Sequence, residues 1–366
     1  MNHRLPTWLG VALAVFSVLS TCVIIHAQSR ENASPPKFSI IDVGVLPGGT
    51  DAYAFGLNNH GDVSGRSAVV TGNGRNRTIT TFTFLYKSGK LLSLGAPTKD
   101  QASLGFAVND SDQVAATGID KGFESPYTVS LRANGKRDWL ALPNHGKAPG
   151  YSLAYGVNDR GSLVGTVDGQ GAALWTKTKS GYQIKVLPGK KSAVAMAVDE
   201  RNDAVGYDPT GHSTLWLAGG SELSLTSLDG TDSEALSVAA GTKKLLVGGA
   251  SKLPSGVTVA TLWTVEPKGK RWTVRSVIGL GVPTGYKSSE VESVNAAGEA
   301  VGYAWRQNAL TAVVWTGGQA YTLDPLLSKR GGWALTRAQA VNDKGQIAGW
   351  GTVKGEIRPF LLTPKG

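Results

Sequence analysis

Cysteine is all but missing. Cys22 is the only one in 366 residues, so no disulfide can staple the chain beyond its first segment and stability must come from a large packed core. Histidine is nearly as scarce, and beyond residue 27 only His60, His145 and His212 remain, each in a different part of the chain. There is no HExxH, GxSxG, CxxC or phosphate-binding loop, and the carboxylates read as scattered rather than paired on neighbouring strands. No site for a cofactor or a metal is expected from these residues. Charged residues make up only 17%, which argues against a disordered tail or a coiled coil. No i, i+3, i+4 apolar stripe of useful length follows residue 27, so helix content should be very low.

What is present is a repeat. Residues 42–65 read DVGVLPGGTDAYAFGLNNHGDVSG, and the second half of that stretch recurs. It returns as AVNDSDQVAA (107–116), GVNDRGSLVG (156–165), AVDERNDAVG (197–206), SVNAAGEAVG (293–302) and AVNDKGQIAG (340–349). A turn opens at Asn58, Asn109, Asn158, Asp199, Asn295 and Asn342, and a small residue closes each copy seven positions later. A seventh copy, 237–248 (SVAAGTKKLLVG), keeps its ends but has a longer turn. Copies spaced by forty to fifty-odd residues signal an array of like units.

Each unit also carries a β-rich run ending in an aromatic residue or leucine, such as 80–86, 172–175, 213–216, 259–263 and 312–315. A tight polar turn and another short apolar run follow each one. Four short strands per period, seven times over, predict an all-β fold, a seven-bladed β-propeller of four-stranded antiparallel blades. The seventh unit runs out of chain before its fourth strand, whereas residues 38–46 (FSIIDVGVL) precede the first unit without a blade of their own. Pairing 38–46 with 359–363 would close the ring and leave no open edge. The expected organisation is a signal peptide (1–27), a flexible leader (28–37) and a single propeller domain (38–366).

Residues 1–27 have a positive start at Arg4, an apolar stretch over 5–25 and a small residue, Ala27, at the end, the pattern of an export signal. The competing reading is an uncleaved anchor, since residues 8–25 nearly suffice to cross a bilayer. With the segment removed the chain keeps 36 basic against 27 acidic residues, a net charge of +9, and the expected location is secreted or periplasmic.

The recurring Asn and Asp invite a calcium reading, but each turn offers too few oxygen donors for a calcium loop, and these residues ordinarily bond their own backbone at turns. The third-strand aromatics Tyr86, Trp175, Trp216, Trp263 and Trp315 fit a core between blades better than a ligand ladder. Loop lengths are unequal. First-to-second and third-to-fourth turns are short, whereas second-to-third and inter-blade loops, which share the opposite face, are long. Those long loops carry cations interleaved with aromatics: Arg75, Arg77, Lys147, Tyr151, Tyr286, Lys287, Trp305, Arg306, Trp333 and Arg337. They mark a face for a protein partner or for an anionic or carbohydrate polymer of the cell surface, bound by a monomer with no membrane insertion. Nucleic acid is a weaker third partner, favoured only by net charge. The alternative is a polysaccharide-active enzyme with its site at the central channel. Carboxylates clustered at the channel mouth would favour it, and a channel lined by small residues would favour binding.

The Asn-turn-Gly segments, with third-strand segments such as HSTLW (212–216), resemble the HAF-repeat family of exported bacterial proteins. The resemblance spans almost all of 38–363. His of the family pattern survives only at His212, and the fifth unit lacks the turn Asn. What the resemblance implies is an extracytoplasmic repeat protein of propeller form, with no catalytic or metal residues carried over.

Overall fold

The computed structural model describes residues 35–72, 74, 77–95, 102–119, 127–132, 134–140 and 151–365. The export segment and most of the leader therefore lie outside the described residues. Among those described there is no α-helix, and the chain forms seven separate four-stranded antiparallel sheets arranged as the blades of a propeller. Six blades are contiguous in sequence. The seventh combines Ala334–Val341, Ile347–Val353 and Glu356–Lys365 with the N-terminal strand Lys37–Asp42. The closing ladder runs antiparallel from Lys37 opposite Lys365 to Asp42 opposite Phe360, so the ends of the ring clasp as the leftover segment of sequence requires. Phe38 anchors the clasp. It is buried in the blade-six-to-seven core, and its carbonyl accepts from both the backbone N–H and the hydroxyl of Ser328.

A blade has two faces, and neither can be buried without a neighbour, so the apolar clusters lie between blades. One joins Val205 and Leu215 of blade 4 to Leu245, Val247 and Trp263 of blade 5. The third-strand rings Trp175, Trp216, Trp263 and Trp315 are at most 3% exposed, and burying a side chain of that size contributes about 1.5–3 kcal/mol. The indole N–H groups also donate to carbonyls in the loop leading into the same blade, as Trp216 does to Pro188, Trp263 to Thr226 and Trp315 to Gly281.

The repeated turn does two jobs. Within its own blade the Asn side-chain oxygen accepts backbone N–H groups two and four residues on, as Asn109 does from Ser111 and Gln113. Across the gap, its amide donates to the turn carbonyl of the next blade: Asn58 to Asn109, Asn109 to Asn158, Asn158 to Asp199, Asn295 to Asn342 and Asn342 back to Asn58. The following residue completes a second circuit. Asp110, Asp159, Glu200 and Asp343 each accept a backbone N–H from the preceding blade. These side chains are thus spent on joining blades.

The closing glycine sits where no side chain fits. A Cβ on Gly165 would lie 1.8 Å from the Leu153 carbonyl oxygen, and one on Gly302 would lie 2.0 Å from that of Glu290. In blade 5 this role falls to Gly249, 1.9 Å from the Glu234 carbonyl, rather than to Gly248, where the sequence pattern places the end of the seventh copy. The long turn of that copy shifts the register by one.

Candidate functional site

The seven inner strands line one channel: Gly49–Leu57, Ala102–Val108, Ser152–Val157, Val194–Val198, Asp232–Ala240, Ser288–Val294 and Ala334–Val341. Each carries a bulge near its middle. A bulge places an extra residue on one strand and re-aims its side chain. On blades 1 to 5 the channel-lining residues there are Phe55, Phe106, Tyr155, Met196 and Leu236, and on blades 6 and 7 they are Glu292 and Gln339. The space these strands line is open to solvent and has a volume of about 320 Å³. Phe55, Phe106 and Tyr155 touch in series, with ring centroids 5.8 and 5.2 Å apart, so one wall is a continuous aromatic arc.

One step towards the long-loop face the asymmetry sharpens. The residues two positions earlier are Tyr53, Leu104, Leu153 and Val194 on blades 1 to 4, against Glu234, Glu290 and Arg337 on blades 5 to 7. Second-strand neighbours add to this rim. Tyr303 is paired across the ladder with Glu290, and Tyr207 with Val194. Arg337 links the charged side, its guanidinium 3.3 Å from the Glu292 carboxylate and 3.9 Å from the centre of the Tyr303 ring. Beside it, Arg66 of blade 1 lies 4.7 Å over Tyr53, which meets Trp350, the cross-strand partner of Arg337, edge-on at 5.1 Å. Outward from the channel, a cavity of about 360 Å³ opens between blades 4, 5 and 6, lined by Asp232, Glu234, Glu290, Lys252, Tyr303 and Trp305 among others. Tyr303 and Trp305 stack at 5.3 Å to form its aromatic wall.

The electrostatics follow from burial. Glu290 is pushed well above the ordinary carboxylate range, first by desolvation and then by the charges of Glu292 and Glu234. Burial also raises Glu292, with Arg337 and Gln339 pulling it back. Burial raises Glu234, aided by Asp232 and opposed by Lys252. Tyr207 is pushed up to about 12 by burial and by Glu234, and Tyr303 is raised by burial and Glu290. Three carboxylates are therefore held close together on two adjacent inner strands, and among the described residues neither Glu234 nor Glu290 forms an ion pair.

This corrects the reading of the carboxylates as scattered. Glu234 and Glu290 lie 56 positions apart in the sequence, outside the recurring turn, yet the packing of blade 5 against blade 6 brings their inner strands together. Of the residues expected on the long-loop face, Trp305, Lys287 and Arg306 share the rim of blade 6, where the Lys287 backbone N–H donates to the Trp305 carbonyl at 3.0 Å. Arg306 and Lys287 are exposed and Trp305 is half-buried. Tyr286 packs against the core between blades 5 and 6, whereas Tyr151 and Arg77 are exposed on blades 3 and 1, apart from that rim. Trp333 does not reach the surface. It is 5% exposed and meets Phe360 edge-on at 6.1 Å, because the Gly331-Gly332 turn folds the ring down into the core beside the closing strand. Arg337 belongs to the inner strand and works inside the channel. Arg75 and Lys147 lie outside the described residues. His60 and His212 are exposed, as a surface or turn role requires. Among the described residues no group of three or more His, Cys, Asp or Glu is placed to hold a metal ion, and no helix is long and apolar enough to cross a membrane.

No family model matches the sequence, and no curated protein matches it. Among solved structures the chain is similar to YCF48 bound to D1 peptide, with a TM-score of 0.50, 10% identity and coverage of 91% of this chain and 99% of that one. It is also similar to the β-propeller domain of the Trilobed protease from Pyrococcus furiosus, described as having an open velcro topology (TM-score 0.47, 10% identity, 87% and 95% covered). A third is the fucose-specific lectin from Aleuria aurantia (TM-score 0.34, 11% identity, 91% and 97% covered). At such identities the likeness is one of fold, since function resides in sites built on a fold.

Proposed function

We propose that the protein is an exported propeller of the HAF-repeat kind that binds a carbohydrate chain at the long-loop mouth of its channel. One observation carries the reading: at that mouth aromatic faces and carboxylates stand side by side, Tyr303 and Trp305 against Glu234 and Glu290, around a cavity of about 360 Å³. A sugar ring has an apolar C–H face that stacks on an aromatic ring and hydroxyls that donate to carboxylates, so this mixture suits it. The same carboxylates argue against an anionic polymer at this position, because like charges at short range repel. The chain of choice is a neutral or amine-bearing one.

A glycan array probed with the protein at two salt concentrations tests this. Retention of neutral or amino-sugar oligosaccharides that survives high salt is the expected result. Retention of anionic glycans alone, lost as salt rises, would overturn it. Replacing Trp305 by alanine should weaken binding about tenfold, the loss of one stacking contact.

A further inference from the structure

We propose that the turn face of the propeller docks on an anionic phospholipid surface, with the tip of blade 5 as the contact. This surface lies at the opposite end of the ring from the carbohydrate site and does not depend on it. Blade 5 is where the repeated turn breaks down. In place of the Asn-led turn stands Gly241-Thr242-Lys243-Lys244, closed by the Gly241 N–H donating to the Lys244 carbonyl. Beside it, the hairpin between the last two strands of the blade turns through Lys268, Gly269, Lys270 and Arg271. The two turns border one shallow groove, lined by Thr242, Lys243, Lys244, Glu266 and Pro267.

The five cations of this tip are exposed, and among the described residues none of them forms an ion pair. Other cations of the same face are matched by carboxylates of the ring. Lys87 is 2.6 Å from Asp112, Lys136 is 3.5 Å from Asp138 and Arg201 is 3.1 Å from Asp203. A hairpin turn does not need the charge either. The equivalent turns of blades 4 and 6, Ala218-Gly219-Gly220-Ser221 and Thr316-Gly317-Gly318-Gln319, carry none. Glu266 is the single acid lining the groove, so the tip keeps its positive excess. Cations left without a partner at an exposed tip are attracted to lipid phosphates, an attraction that fades within a Debye length.

The route of the chain selects lipid over a soluble polyanion. Lys37, where the chain joins the ring, stands opposite Lys365 in the closing ladder, and Pro364 lies against Gly345 of the blade-7 turn. The chain therefore enters the propeller at the turn face. The apolar stretch 5–25 precedes that entry, separated from it by residues 26–36, which span at most about 40 Å. A bilayer holding the apolar stretch lies within that reach of the turn face, so the basic tip and the entering chain meet the membrane from the same side. The carbohydrate mouth is then turned away from the lipid.

The experiment sediments the full chain with vesicles of phosphatidylcholine alone or mixed with phosphatidylglycerol, at about 0.1 M and about 1 M salt. Neutral vesicles report the apolar stretch by itself, and the difference between the two vesicle types reports the cations. The expected result is a preference for phosphatidylglycerol that disappears at the higher salt. Lys243→Gln with Lys244→Gln, and separately Lys268→Gln with Lys270→Gln, should weaken that preference by about fivefold for each charge removed. Lys243→Arg with Lys244→Arg should retain it. Lys191→Gln with Lys354→Gln takes two exposed charges from the loop face and should leave it unchanged. Equal retention on both vesicle types overturns the proposal. So does a preference that the blade-5 variants leave intact, or one that the loop-face pair lowers as much. Capture on inorganic polyphosphate with none on phosphatidylglycerol assigns the tip to a soluble polyanion and overturns it too. Glycan retention is a separate readout, and neither result decides the other.

Discussion

The two ends of the channel are built from the same seven strands and could hardly be used more differently. At the turn end, the Asn amide of one blade donates to the backbone of the next and a carboxylate accepts from the backbone of the blade before, and the amide circuit runs from blade 6 through 7, 1, 2 and 3 to blade 4. In a closed ring each unit meets the next head to tail, so identical residues can satisfy one another, and repetition of one Asn solves every junction at once. Blade 5 lacks the Asn, and its junctions are made otherwise: Arg201 of blade 4 lies 5.1 Å over Trp272, and the Ser237 hydroxyl accepts from the Val294 N–H of blade 6. At the loop end the residues at matching positions are unlike, running from Leu104, Leu153 and Val194 to Glu234, Glu290 and Arg337. Repetition suits groups whose partner is the neighbouring copy. Divergence suits groups whose partner comes from outside.

The contrast presupposes a closed ring, and opening it should have the largest effect of all. Phe38→Ala would empty a buried site beside Trp333 and Leu327 and loosen the strand that completes blade 7. A loss of about 3–5 kcal/mol is expected in urea unfolding. A loss under 1 kcal/mol would mean that the N-terminal strand is dispensable and that blade 7 stands on three strands.

Next comes the turn circuit. Asn109→Ala removes an amide donor to the Asn158 carbonyl and the acceptor of two backbone N–H groups, at a position 3% exposed. The expected loss is about 2–3 kcal/mol, with glycan binding unchanged because the site is at the other end. If binding fell in step with stability, the two ends would not be separate in function.

How much of this could be read in the chain depends on where a residue finds its partner. The Asn of each turn and the Trp of each third strand recur at fixed offsets, so the number of blades, the ring closure at residues 38–46 and the inter-blade core were all legible. The second use of Asn109, as a donor to the next blade, was not, since a turn Asn looks complete once its own backbone is satisfied. The charged side of the channel was hidden for a different reason. Glu292 occupies the bulge position that Phe55, Phe106 and Tyr155 fill elsewhere, and a residue that departs from the pattern reads as loss of pattern. Trp333 erred the other way, an aromatic next to Lys329, Arg330 and two glycines that looks like part of a binding loop and is in fact core beside Phe38 and Phe360.

The finest test removes one carboxylate at each end and asks for opposite signs. At the loop end Glu290 has a pKa raised above its unfolded value, so between the two the folded state holds more protons than the unfolded one. Its cost is absent below the ordinary Glu range, grows as pH rises and is complete above the raised pKa. Glu290→Gln removes that cost. The variant should match the wild type near pH 4 and exceed it at alkaline pH by about 1–2 kcal/mol. At the turn end the Asp110 carboxylate accepts the Asn59 N–H at 2.8 Å, and Asp110→Ala should destabilise by about 1 kcal/mol at neutral pH. Denaturant midpoints across a pH series read both. If losing either carboxylate destabilises alike, the loop-end carboxylates are part of the scaffold, held there for structure and with nothing left over for a ligand.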